Sequence, residues 1–132
     1  MKFRLLTMTI AAAFAFSAAA YAHHSFAGTY REGETVTIEG EIIQFNIRNP
    51  HSFINIEVTE EDGSAVLWGG EWGSVTQLSQ GGVDRFTLKV GERIVIDGAP
   101  PRDTLDKKVL VRRVERPATA TVEAFLWEGR VR

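Results

Sequence analysis

Alternating apolar and polar positions begin after Thr35 and predict a half-buried β-strand. One face of this segment is apolar or glycine and the other is polar: Val36, Ile38, Gly40 and Ile42 alternate with Thr37, Glu39 and Glu41. The pattern continues toward Phe45 and Ile47 and ends at Asn49–Pro50, a dipeptide typical of turns. We therefore expect the first strand to stop before Pro50.

Four later segments are also rich in β-branched and aromatic residues, and each is predicted to be a strand. A polar turn centred on Asp62–Gly63 separates the second strand from the third and favours a hairpin. The four segments are Ser52 to Thr59, Ala65 to Trp72, Arg93 to Gly98, and Lys108 to Glu115.

A short helix is predicted between the third and fourth strands. Ser74 is a suitable N-cap, Val75 and Leu78 supply its apolar side, and Gly81–Gly82 ends it. Three strands, a short helix and two strands form the element order of a five-stranded OB-like Greek-key barrel. We predict this all-β fold over residues 23–117, with a small β-sandwich or an open meander as alternatives.

The two ends of the chain differ from this central part. Residues 1–22 combine a basic start, an apolar run of about a dozen residues and an Ala-Tyr-Ala ending, as expected of a cleaved signal peptide. Cleavage after Ala22 would expose His23, and cleavage after Ala20 is an alternative. The extension 118–132 carries Trp127 and is predicted to be either a sixth strand or a loosely held tail.

Composition narrows the function classes. The chain has no cysteine, which excludes disulfides and thiolate metal sites. Its formal net charge is −2, and it becomes −4 without residues 1–22, which carry Lys2 and Arg4 and no acid. An acidic domain is poorly suited to nucleic-acid phosphates, and no further run is long enough to span a membrane. We expect an exported protein with a partner or small ligand that the sequence does not identify.

The three histidines, His23, His24 and His51, are the candidate metal ligands. A histidine at a free amino terminus can bind one metal ion through its α-amine and its own ring. A second imidazole would complete a three-nitrogen set suited to Cu(II). His51 is the candidate for that imidazole, and His24 is an accessory ligand. The alternative is that all three are ordinary solvated or turn residues.

A second group of candidate site residues lies on the third strand. Glu71 could act as an oxygen ligand or a base, and Trp68 could form the wall of a pocket with Trp72 beside it. The alternative is that the tryptophans fill the barrel and Glu71 is an exposed strand carboxylate. Asn49 is expected to shape the turn that presents His51. No hydrolase nucleophile or phosphate-binding glycine loop is apparent.

Several of these segments together resemble a family of small exported bacterial proteins of unknown function, domain of unknown function 6152. The resemblance extends from His23 to about Glu115, and it does not include the tail after Pro117. It implies a bacterial periplasmic or secreted location and a compact β-fold, but no established reaction. The segments that carry it are His23-His24-Ser25-Phe26, Thr37-Ile38-Glu39-Gly40, Asn49-Pro50-His51, Asp62-Gly63, Trp68 with Glu71, and the stretch from Leu88 to Pro100.

Three functions are consistent with the sequence. The first is an exported binding module that holds copper through His23 and His51. The second is a non-metal module that binds a peptide or saccharide through Trp68, Trp72 and Phe53, since OB-like barrels bind such ligands on one face. The third is a copper-dependent enzyme, although no substrate is indicated.

Overall fold

The computed structural model of the protein describes residues 26–131. A helical turn at residues 26–29 precedes six strands and one helix. The strands are β1 (Val36–Asn46), β2 (Phe53–Thr59), β3 (Ala65–Glu71), β4 (Arg93–Ala99), β5 (Lys108–Arg116) and β6 (Phe125–Glu128), and the helix α1 (Val75–Gln80) lies between β3 and β4.

The first five strands close into a barrel. They are hydrogen-bonded in the order β3-β2-β1-β4-β5, and β3 also pairs with β5 in parallel, from Gly69 opposite Lys108 to Glu71 opposite Leu110. All other pairings are antiparallel. The predicted five-stranded OB-like barrel, with its short helix between the third and fourth strands, is confirmed.

The core explains why the alternating pattern predicted the strands well. Ile38, Gly40 and Ile42 of β1 face the interior, as the pattern indicated. They meet isoleucines and valines of the other strands, including Ile54, Ile56, Ile94, Ile96, Val111 and Val114. Burial of these side chains supplies the main driving force for folding, since the chain has no disulfide.

Gly40 allows β1 and β2 to approach each other closely. A Cβ atom at this position would lie 2.2 Å from the backbone carbonyl oxygen of Glu57, well inside the contact distance. The strand also contains a bulge between Ile42 and Gln44, which changes its register with β2. Bulges bend and twist a strand, so both features help β1 to curve around the barrel.

The helix α1 begins and ends where the sequence indicated. The hydroxyl of Ser74 accepts a hydrogen bond from the Gln77 N–H at 3.2 Å, and Gly81 forms the C-cap. Leu78 is fully buried. Within residues 26–131, no helix is long and apolar enough to cross a membrane.

The C-terminal extension forms a sixth strand, one of its two predicted states. β6 pairs with β5 from Phe125 opposite Arg116 to Glu128 opposite Arg113. Trp127 is only 6% exposed, and its ring packs edge-on against Trp72 with 5.0 Å between the centroids. The extension therefore contributes to the core.

Candidate functional site

His51 lies in the connection between β1 and β2, and its neighbours fix that connection at two points. The side-chain oxygen of Asn49 accepts a hydrogen bond from the Val75 N–H at 3.1 Å, at the start of α1. Ser52 is fully buried and exchanges backbone hydrogen bonds of 3.0 and 2.8 Å with the two residues that follow β3. Asn49 therefore anchors this connection to the helix.

The imidazole of His51 contacts Glu71, the last residue of β3. Their Nδ1 and Oε1 atoms are 2.9 Å apart, and the two side chains are 23% and 19% exposed. A neutral histidine that donates from Nδ1 carries its lone pair on Nε2. The pairing thus leaves Nε2 as the ring nitrogen that can bind a metal ion.

Tyr30 holds the other oxygen of the same carboxylate. Its hydroxyl donates to Oε2 of Glu71 at 2.7 Å, across 41 residues of sequence. Burial raises the pKa of Tyr30, which is 1% exposed, and the hydrogen bond to Glu71 and the charge of that carboxylate raise it further. The hydroxyl therefore remains a donor at physiological pH and keeps Glu71 oriented toward His51.

Phe26 packs against the histidine ring. The centroids of the Phe26 and His51 rings are 4.9 Å apart, and the planes are tilted by 43°. The carbonyl of Phe26 also accepts a backbone hydrogen bond from the Tyr30 N–H at 2.7 Å. One helical turn therefore joins Phe26, which contacts His51, to Tyr30, which contacts Glu71. The segment that follows the predicted cleavage site thus contacts His51 through Phe26 and Glu71 through Tyr30.

This N-terminal segment is also tied to the connection between β4 and β5. The Arg31 N–H donates to the Pro100 carbonyl and the Arg102 N–H to the Thr29 carbonyl, both at 2.9 Å. The Arg102 side chain donates to the carbonyl of Ala27 at 2.7 Å. Because several bonds hold the segment, its position beside His51 is fixed by the fold.

The predicted ligands His23 and His24 lie outside the described range of the chain. Among residues 26–131, no group of three histidine or acidic side chains is close enough to hold a metal ion.

Trp68 and Glu71 do not form one pocket. Trp68 pairs with the buried Ile56 and faces the barrel interior, whereas Glu71 pairs with Phe53 on the outer face of the sheet. Trp68 is half-buried beneath the ammonium of Lys107, which lies 5.1 Å from its ring centroid. Its indole N–H is buried and has no hydrogen-bond partner in the part of the chain that the structure describes.

The expectation that Trp72 offers a stacking surface is wrong. Trp72 is fully buried beside Phe45 and Trp127, so it belongs to the core. Phe53 is half-buried, and the guanidinium of Arg48 lies 4.8 Å from its centroid. The aromatic surface proposed for a peptide or saccharide is therefore reduced to two partly covered rings.

Tyr30 and Ser52 also belong to this site, although no pattern in the sequence singled them out, and Phe26 was named only as part of a family motif. The spacing of Phe26 and Tyr30, four residues apart, was the available signal, since residues at this spacing share one face of a helical turn. No sequence signal links Tyr30 to Glu71, because that contact depends on closure of the barrel.

Comparison with curated proteins finds no match. A family model described as a family of unknown function, DUF6152, matches residues 12–109. The match covers about three quarters of the chain, and it includes Tyr30, His51 and Glu71. The chain therefore belongs to the DUF6152 family.

Proposed function

We propose that the protein is an exported periplasmic module that binds Cu(II) through His23, once cleavage after Ala22 has made it the first residue, and through His51. The observation that carries this proposal is the 2.9 Å contact between His51 Nδ1 and Glu71. Carboxylates commonly accept a hydrogen bond from the non-ligating nitrogen of metal-bound histidines, and they orient the ring and raise its basicity. Glu71 is in that position, and Tyr30 holds it there.

The ligand set follows from the chemistry of the amino terminus. The free α-amine and the ring of His23 would close one chelate, and Nε2 of His51 would supply the third nitrogen. Cu(II) favours nitrogen ligands in a planar arrangement, which such a set can provide. The fixed contact between Phe26 and His51 supports this geometry, because only two residues separate His23 from Phe26.

Copper titration of the correctly processed protein tests the proposal. Intact mass first establishes that the exported chain begins at His23, and competition with a chelator of known affinity then gives the dissociation constant for Cu(II). Electron paramagnetic resonance reports the nitrogen ligands. We expect three in the processed protein and two in His51→Ala.

Two variants separate the proposed ligands from incidental copper binding. An Ala-Pro-Ala extension before His23 moves the free amine away from that ring and keeps every histidine out of the first three positions, so we expect a marked loss of affinity. Glu71→Gln is expected to weaken binding about 10- to 100-fold. Glu57→Gln is the matched control, because Glu57 is an exposed glutamate on β2.

The proposal fails if the extended protein binds Cu(II) as tightly as the processed one. It also fails if His51→Ala leaves the number of nitrogen ligands unchanged. An exported chain that begins at Tyr21 would remove the chelating amine from His23 and would also overturn it.

A further inference from the structure

The connection between α1 and β4 exposes two apolar side chains that the barrel does not use. Phe86 is 67% exposed and Val90 is 66% exposed. Between them, Leu88 turns inward and is 2% exposed. The loop is therefore anchored to the core by Leu88 and by Val83, which is also 2% exposed, while it presents Phe86 and Val90 to solvent.

Hydrogen bonds hold this loop in one conformation. The carboxylate of Asp84 accepts from the Phe86 N–H at 2.8 Å and from the Thr87 hydroxyl at 3.0 Å. Further along, the Arg116 guanidinium donates to the Thr87 carbonyl at 2.7 Å and to Glu92 at 2.9 Å. Phe86 is thus exposed in a structured turn, at a position where a polar side chain would be exposed to water at a lower cost in free energy.

Two cations alternate with these apolar residues. The guanidinium of Arg85 lies 4.7 Å from the centroid of the Phe86 ring, and Lys89 precedes Val90. Within residues 26–131, neither cation lies within 4.0 Å of a carboxylate, whereas five other lysine and arginine side chains do. The nearby carboxylates of Asp84 and Glu92 are already hydrogen-bonded inside the loop.

We propose that Arg85, Phe86, Lys89 and Val90 form a docking surface for an anionic lipid bilayer. Apolar side chains that enter the headgroup region, flanked by cations that meet lipid phosphates, are the usual elements of peripheral membrane binding. The acidic net charge of the chain does not prevent this contact, because charges more than about 8 Å away are screened at physiological salt. A protein partner is less well supported, because stable protein interfaces use about 20–30 residues a side and this surface consists of four.

Vesicle co-sedimentation tests the proposal and does not depend on copper. The chain from residue 23 onward is mixed with phosphatidylcholine vesicles, with and without phosphatidylglycerol as the anionic lipid. We expect binding only to the anionic vesicles and weaker binding at high salt. The double variant Arg85→Gln/Lys89→Gln should bind about 25-fold less tightly, since each cation near an anionic surface contributes about fivefold.

The apolar pair is tested in the same way. Phe86→Ser/Val90→Ser should lower vesicle binding at least about tenfold. Leu126→Ser is the matched control, because Leu126 is 58% exposed on β6 and lies outside the loop. Equal binding by all variants, or binding that ignores anionic lipid, would overturn the proposal. Failure of the parent protein to bind any vesicle would overturn it too and would leave the loop for an acidic protein partner.

Discussion

Removal of one hydroxyl group tests whether Tyr30 holds the carboxylate that orients His51. In Tyr30→Phe the ring keeps its place in the core, while the 2.7 Å bond to Glu71 is lost. A hydrogen bond to a charged group contributes about 1.5–3 kcal/mol to stability. The lower value applies here, because Glu71 is 19% exposed and can regain a bond from water. We therefore expect the free energy of unfolding to fall by about 1.5 kcal/mol.

Denaturant unfolding followed by tryptophan fluorescence measures this loss. The midpoint should fall while the dependence on denaturant stays unchanged, and the melting temperature should drop by about 7 °C for a domain of this size. Thr37→Val is the matched control. It removes a 2.6 Å hydroxyl–carboxylate bond to Asp97 that is exposed to solvent, so the expected loss is below about 0.5 kcal/mol.

Nitrogen-15 NMR of the His51 ring provides a second measurement that does not depend on global stability. In the parent protein we expect the tautomer with the proton on Nδ1, since that atom faces Glu71. In Tyr30→Phe, the less constrained Glu71 should allow a mixture of tautomers. If the variant unfolds no more easily than Thr37→Val and keeps a single His51 tautomer, Tyr30 does not position Glu71.

Three further predictions concern the rest of the fold. Gly40→Ala should cost about 2–3 kcal/mol in denaturant unfolding, because its Cβ would meet a carbonyl of β2, whereas Gly33→Ala, with open space around it, should change stability by less than about 0.5 kcal/mol. Trp127→Ala should cost about 3–5 kcal/mol in the same assay, since it opens a cavity beside Trp72; a smaller loss would mean that β6 is dispensable. Hydrogen bonds from the loop lower the pKa of Asp84. The contribution of its carboxylate to the free energy of unfolding is therefore complete above the ordinary pKa of 3.8, and it is lost as the pH falls through the lowered pKa. The stability deficit of Asp84→Ala should therefore be present at neutral pH and shrink as the pH falls below 3.8; a deficit independent of pH would contradict this.

The buried indole nitrogens of Trp68 and Trp72 have different surroundings. Trp72 Nε1 is buried and has no hydrogen-bond partner in the 26–131 range, but the ring meets Trp127 edge to face. Such contacts allow an N–H group to interact weakly with an aromatic face. Trp68 Nε1 is also buried without a partner, and the ring lies beneath Lys107. The structure gives no comparable explanation for Trp68.

Local sequence determined the strands and the helix of this protein. Alternation in β1 reflects the geometry of a strand, whose successive side chains point to opposite faces. The Asp62–Gly63 turn and the Ser74 cap likewise depend on interactions between residues a few positions apart. These interactions are local, so a single sequence was enough to predict the elements and, from their order, the barrel.

Tertiary structure decided the contacts of the candidate site. The sequence singled out His51 and Glu71. It did not decide whether Glu71 is a functional group or an exposed strand carboxylate, because Tyr30 is not among the neighbours of Glu71 along the strand. Parallel pairing of β3 with β5 and attachment of the N-terminal segment bring the Tyr30 hydroxyl to that carboxylate. The same closure buries Trp72, which local sequence could not distinguish from a surface aromatic residue. Such contacts join residues distant in sequence, and their formation depends on the packing of the whole barrel.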